Sequence, residues 1–165
     1  MKRVVLIVGP LLVLLLALVV FRGSPDPQKV VAKELDLDVS GGRVISSSDT
    51  HGGFHGDGMT FIVLEFSGDE VLAQIKENPQ WSPLPLDDTV STVLYGKLNG
   101  AKSVAPLVSD GQGKALVPQI QEGYYLLLDR HTGAGGDILS RASFNFTVAV
   151  YDSDTGKLYL CKLNT

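Results

Sequence analysis

Phe144-Asn-Phe-Thr-Val-Ala-Val-Tyr151, then Asp152-Ser-Asp-Thr-Gly156, then Lys157-Leu-Tyr-Leu-Cys-Lys-Leu163, reads as two strands joined by a tight turn. Phe144, Phe146, Val148 and Val150 recur at every second position, the period that puts side chains on one face of a sheet. A run of turn formers ending in glycine separates them, as an antiparallel hairpin requires. Gly123-Tyr-Tyr-Leu-Leu-Leu-Asp129 supplies a third strand just upstream, so the C-terminal third is expected to be an antiparallel meander.

Earlier in the chain, Glu34-Leu-Asp-Leu-Asp-Val39 alternates apolar and acidic residues and predicts a half-buried strand. Ser40-Gly-Gly42 turns the chain into a second strand, Arg43 to Thr50. The run Met59-Thr-Phe-Ile-Val-Leu-Glu-Phe66 is apolar on both faces and so predicts a strand inside the sheet. Ser67 and Glu70 have the spacing of a capping box ahead of Val71, Leu72 and Ile75, which predicts a helix ended by Asn78-Pro79. Trp81-Ser-Pro-Leu-Pro-Leu86 must be extended because two prolines fix φ and restrict their predecessors, and Trp81 is expected to pack on the sheet. Asp87-Asp88-Thr89 precedes a second short helix that stops at Gly96. Lys97 to Pro118, rich in Gly, Ser, Ala and Lys, reads as a surface loop. The expected fold is α+β: an antiparallel sheet with one or two short helices inserted after the third strand.

Ahead of this domain, Val4 to Phe21 is an uncharged apolar run of about 18 residues, long enough as a helix to cross a bilayer core of roughly 30 Å. Phe21-Arg22 stands where a signal peptide would place small residues for cleavage, so the segment reads as a retained transmembrane anchor. Lys2 and Arg3 outweigh Arg22, which puts the N-terminus in the cytoplasm and the domain outside the cell membrane, in a single-pass arrangement. The organisation expected is an anchor over residues 1–22, a proline-containing stalk over 23–30 and an extracytoplasmic domain over 31–165.

Three of the 14 basic residues flank the anchor, which leaves 11 against 18 acidic ones, a net of −7 for the domain. With no run of Lys or Arg to displace counterions, nucleic acid is excluded as a partner and an anionic lipid surface is disfavoured. The single cysteine, Cys161, lies within a strand pattern and reads as a small buried hydrophobe.

Asp49-Thr-His51-Gly-Gly-Phe-His55-Gly-Asp57-Gly concentrates imidazoles, carboxylates and glycines, and the remaining histidine, His131, follows Asp129-Arg130 at a strand end. Were those ends neighbours, His51, His55 and His131 with Asp49, Asp57 or Asp129 would offer the ligand types that zinc and similar transition metals take. The plainer account is a glycine loop whose Asp and His side chains satisfy turn amides, and it requires no cofactor. Asp152-x-Asp154-x-Gly156 resembles half of a calcium loop but lacks the downstream acidic ligand, so it is taken as a hairpin turn.

The combination of Asp49 to Gly58, Trp81 to Leu86, Tyr124 to His131 and Phe144 to Gly156 resembles a family of small uncharacterised membrane-anchored proteins of Gram-positive gut bacteria, of the Firmicutes type. The resemblance implies kinship of fold and place in the bacterial cell envelope, and no activity. Three functions are compatible with these readings: a non-enzymatic module that binds a ligand or a protein, a metal-dependent hydrolase built on the His/Asp loop, and a structural accessory of an envelope complex. The first assumes least.

Overall fold

The computed structural model describes residues 25–52, 56–99, 102–131 and 137–165. The apolar run Val4 to Phe21 and His55 lie outside the described residues. Among those described, no helix is long and apolar enough to cross a membrane.

The first element among the described residues is a helix, α1 (Pro27–Leu35), where a stalk and the start of a strand were expected. Asp26 caps it by accepting from the Gln28 N–H, and Pro27 fits the first turn, where its missing N–H costs nothing. Val31 and Leu35, one turn apart, are both buried, and that spacing outweighs the period-two pattern of Glu34 to Val39. Leu37 and Val39 do point inward, but from an extended segment that pairs with no strand. The chain leaves α1 through Asp36 in the left-handed region, with φ of 52°.

Strands β1 (Arg43–Asp49) and β2 (Gly58–Glu65) follow, and then helix α2 (Glu70–Glu77). Asp69 occupies the cap of α2 without a side-chain hydrogen bond, so the Ser67/Glu70 box does not form as expected. A two-residue strand β3 (Ser82–Pro83) leads to helix α3 (Asp88–Tyr95), where the Asp87 carboxylate does accept from the Val90 N–H at 2.8 Å. Within the expected loop, β4 (Lys97–Asn99) and β5 (Lys102–Val104) form a small separate hairpin. The chain ends with β6 (Gly123–Asp129), β7 (Asn145–Asp152) and β8 (Lys157–Asn164). The fold is thus α+β, with one inserted helix after the second strand and another after the short third strand, and among the described residues a further helix ahead of the sheet.

The main sheet has the order β1-β2-β8-β7-β6-β3, with every neighbour antiparallel. The meander β6-β7-β8 is as expected, and β2 pairs on both sides with its apolar residues buried on both faces. On the first face Ile62, Leu64, Leu158, Leu160 and Tyr151 pack under α1, α2 and Trp81. On the second, Phe61, Phe146, Val148 and Val150 pack under α3 and the Val108 and Val117 loop. Pro83, which cannot donate to a ladder, sits on one edge, and a register shift between Val44 and Ser46 interrupts the other.

Trp81 is 6% exposed against this first face, whereas Leu98 on the β4–β5 hairpin is 85% exposed. Trp81→Ala is expected to cost about 3 to 5 kcal/mol in urea unfolding and Leu98→Ala almost nothing. Unchanged stability of the Trp81 variant would remove it from the core.

Candidate functional site

Cross-strand register explains why one end of the first face is polar. Asp49 pairs with Thr60, Thr60 with Lys162, and Lys162 with Thr147, so four polar residues form a row across β1, β2, β8 and β7. The row beyond it carries His51, Gly58, Asn164 and Asn145. Two positions in from the first row, Ile62, Leu160 and Ala149 are buried, so the polar rows mark where the covered sheet ends.

Glu34 reaches from α1 to the first row. Its Oε1 accepts from Lys162 Nζ at 2.8 Å, while Oε2 accepts from Arg130 Nη2 at 2.8 Å and the Thr147 hydroxyl at 3.2 Å. Arg130 Nη1 also donates to Thr147 Oγ1 at 2.6 Å. Burial pushes the Glu34 carboxyl up, but the donors and charges of Lys162 and Arg130, with the Thr147 hydroxyl, outweigh it and hold the group below its ordinary range. The cluster fastens α1 to β7, to β8 and to the residue that follows β6.

On the other side of the opening, the Asp49 Oδ1 atom accepts from the His51 backbone N–H at 2.9 Å and stands 2.6 Å from His51 Nδ1. Thr60 Oγ1 lies 3.2 Å from the same nitrogen, and Asn164 Nδ2 lies 3.4 Å from His51 Nε2. With neutral His51 protonated on Nδ1, the ring donates to Asp49 and accepts from Asn164. Burial raises the Asp49 carboxyl, and the His51 backbone and ring with the Thr60 hydroxyl bring it below its ordinary range. Gly58 permits this fit: its φ is 153°, and a Cβ there would come within 2.5 Å of the His51 backbone.

Between the Glu34 cluster and the His51 pair lies an open cleft of about 600 Å³. Lys29, Lys33 and Pro25 line it from the α1 side, and Ser47, Ser48, Asp49, Thr60, Lys162 and Asn164 from the sheet. Its size is that of a small-organic-ligand site.

Of the candidate metal ligands, the described ones are not all brought together, and His55 lies outside the described residues. His51 and Asp49 meet at the β1 end, but His131 follows β6, four strand spacings away, or about 19 Å at roughly 4.8 Å each. There the Asp129 carboxylate accepts from the His131 N–H at 3.1 Å and from Arg141 at 2.6 Å; burial raises its pKa, and these two partners lower it. Asp57 is exposed, bridged to Gly52 only through the backbone. Among the described residues no three His, Cys, Asp or Glu side chains are placed to hold a metal. Asp152 spends its carboxylate on the Asp154 N–H and the Thr155 hydroxyl, as a hairpin turn does. Cys161 is buried and its thiol is pushed up to about 12, so it stays protonated at neutral pH.

Sequence reasoning singled out Asp49 and His51 but missed Lys29, Lys33, Glu34, Thr60, Lys162 and Asn164. A signal existed in β8, where Leu158, Leu160, Lys162 and Asn164 share one face and turn from apolar to polar along it. Comparison with protein-family models, with curated proteins and with solved structures gives no match for this chain. The fold and site define an α+β domain, helix-covered on both faces, with a polar cleft at a sheet corner.

Glu34→Gln is expected to destabilise the protein by about 1 to 3 kcal/mol at neutral pH, because Lys162 and Arg130 would face an uncharged group. The Glu34 pKa is depressed on folding, so its contribution is present above the ordinary value of 4.5 and lost as pH falls through the lower folded value. Unfolding curves of the two proteins should therefore converge in acid. A constant gap down to the acid limit would contradict this role.

Proposed function

We propose that the chain is a membrane-anchored extracytoplasmic module, non-enzymatic, that binds a small ligand in the cleft between α1 and the polar corner of the sheet. The single observation that carries this reading is the state of Glu34, Asp49 and His51 in the lining: each is held in place by another protein group before any ligand arrives. Glu34 is fixed by three donors, and both nitrogens of His51 already have side-chain partners. Such a ring serves as a positioned hydrogen-bonding wall rather than as a proton shuttle with a free lone pair. The Val4 to Phe21 run supports the placement on a membrane, and Lys2 and Arg3 support the orientation.

Placement is tested with Gln112→Cys, which lies in an exposed turn, while the buried Cys161 serves as an unreactive internal control. An impermeant maleimide should label the variant on intact cells, and the protein should sediment with membranes. Labelling only after lysis would put the domain on the cytoplasmic side.

The cleft itself is tested with Ser47→Trp, which plugs it from an exposed position of β1. Thermal-shift screening of small metabolites should find compounds that raise the Tm of the wild type and leave the plugged variant unmoved. A ligand at one hundred times its Kd stabilises by about 2.7 kcal/mol, which such a screen resolves. Equal shifts in both proteins would place binding elsewhere.

A further inference from the structure

Resting on that reading, we propose that the ligand's recognised group is a phosphate ester, gripped by Lys29 and Lys33 at the rim of the cleft. The charges of the cleft support this assignment. Glu34 is matched by Lys162 and Arg130, and the Asp49 carboxylate is hydrogen-bonded to the His51 ring. The Lys29 and Lys33 side chains, by contrast, make no hydrogen bond or ion pair among the described residues. They stand one turn apart on the same face of α1, where like charges repel, and both line the opening.

In a domain with an acidic excess, the lining of this one opening carries three lysines, Lys29, Lys33 and Lys162, against the two carboxylates of Glu34 and Asp49. Local charge governs there, because more distant carboxylates are screened beyond a Debye length of roughly 8 Å. Two flexible ammonium groups, with Ser47 across the opening on the same sheet face as Ile62, suit a tetrahedral oxyanion with several acceptor oxygens; a planar carboxylate is better met by the fork of an arginine. A cleft of about 600 Å³ is far larger than bare phosphate, so the phosphate belongs to an organic molecule.

Two sources of that chemistry are within reach. One is a soluble phosphate ester. The other is a phospholipid headgroup, since Pro25 lines the cleft and Phe21 ends the apolar run, a chain distance of at most about 14 Å.

The test uses the full chain in neutral detergent, with glycerol 3-phosphate as the probe and calorimetry as the readout. Affinity should fall as salt rises, and Lys29→Gln/Lys33→Gln should weaken it by about tenfold or more. Lys76→Gln/Lys114→Gln removes the same charge at exposed positions elsewhere and should leave binding unchanged. Vesicles of phosphatidylglycerol that compete with the probe, where phosphatidylcholine vesicles do not, would identify the lipid as the source; no competition by either would identify a soluble ester. Absence of glycerol phosphate binding, or equal loss in both double variants, would overturn the assignment to the two lysines. A neutral or cationic compound that stabilises the wild type but not Ser47→Trp would overturn the anion and leave the cleft reading intact. If no compound is sensitive to that plug, both fail.

Discussion

Burial on both faces of strands β2, β8 and β7 is the constraint on which the rest of the structure depends. An antiparallel sheet can leave one face to water, but here Phe61, Val63, Val148 and Val150 line one side while Ile62, Leu64, Leu158 and Leu160 line the other. Neither side can be left bare, so each needs a layer of helix or loop. α1 and α2 supply one layer, and α3 with its following loop the other. The order of elements follows from this need, because the long path from β2 to β6 must carry covering segments to both sides of the sheet. The cleft is its local exception, lying where the first face turns polar beyond the helical layer.

How far this could be read from the chain depended on whether the relevant pattern was local. β7 and β8 were legible because alternation and a turn are confined to neighbouring residues. So was α3, whose Asp87 cap lies next to its helix. The segment Glu34 to Val39 misled for a physical reason: Leu35, Leu37 and Val39 are all buried with period two, yet Leu35 belongs to the last turn of a helix and the others to an extended tail. The alternation tracks burial here and not backbone geometry. Val31, one turn before Leu35, carried the helical signal that the alternation hid.

For the site the division is sharper. Asp49 and His51 are two apart in sequence, and the contact between them is a local turn property. Glu34 and Lys162 are 128 residues apart and meet only because β8 pairs with β2 in one register. A shift of one residue in that pairing would turn Lys162 to the opposite face and bring Cys161 to the first. Long-range register of this kind is absent from composition and spacing, and so is the order of strands that separates the β1 end, with Asp49 and His51, from the β6 end, with Asp129 and His131.

The Glu34 cluster also bears on how the cleft keeps its shape. Ion pairs at a surface contribute little, and here the side chains of Lys162 and Arg130 are 30% and 36% exposed. Glu34 is only 12% exposed and Thr147 is fully buried, so the centre of the cluster is dry while its rim is wet. A carboxylate in that position is tolerable only with its donors in place, which makes the attachment of α1 to β7 and β8 specific in register rather than merely adhesive. Val31 and Leu35 fix how closely α1 approaches the sheet, and Glu34 fixes where along the sheet it sits. Because Lys33 is the neighbour of Glu34 and Lys29 lies one turn earlier, that same registration sets where their charges stand relative to Ser47 and His51. The geometry of the opening is therefore a consequence of the packing beneath it.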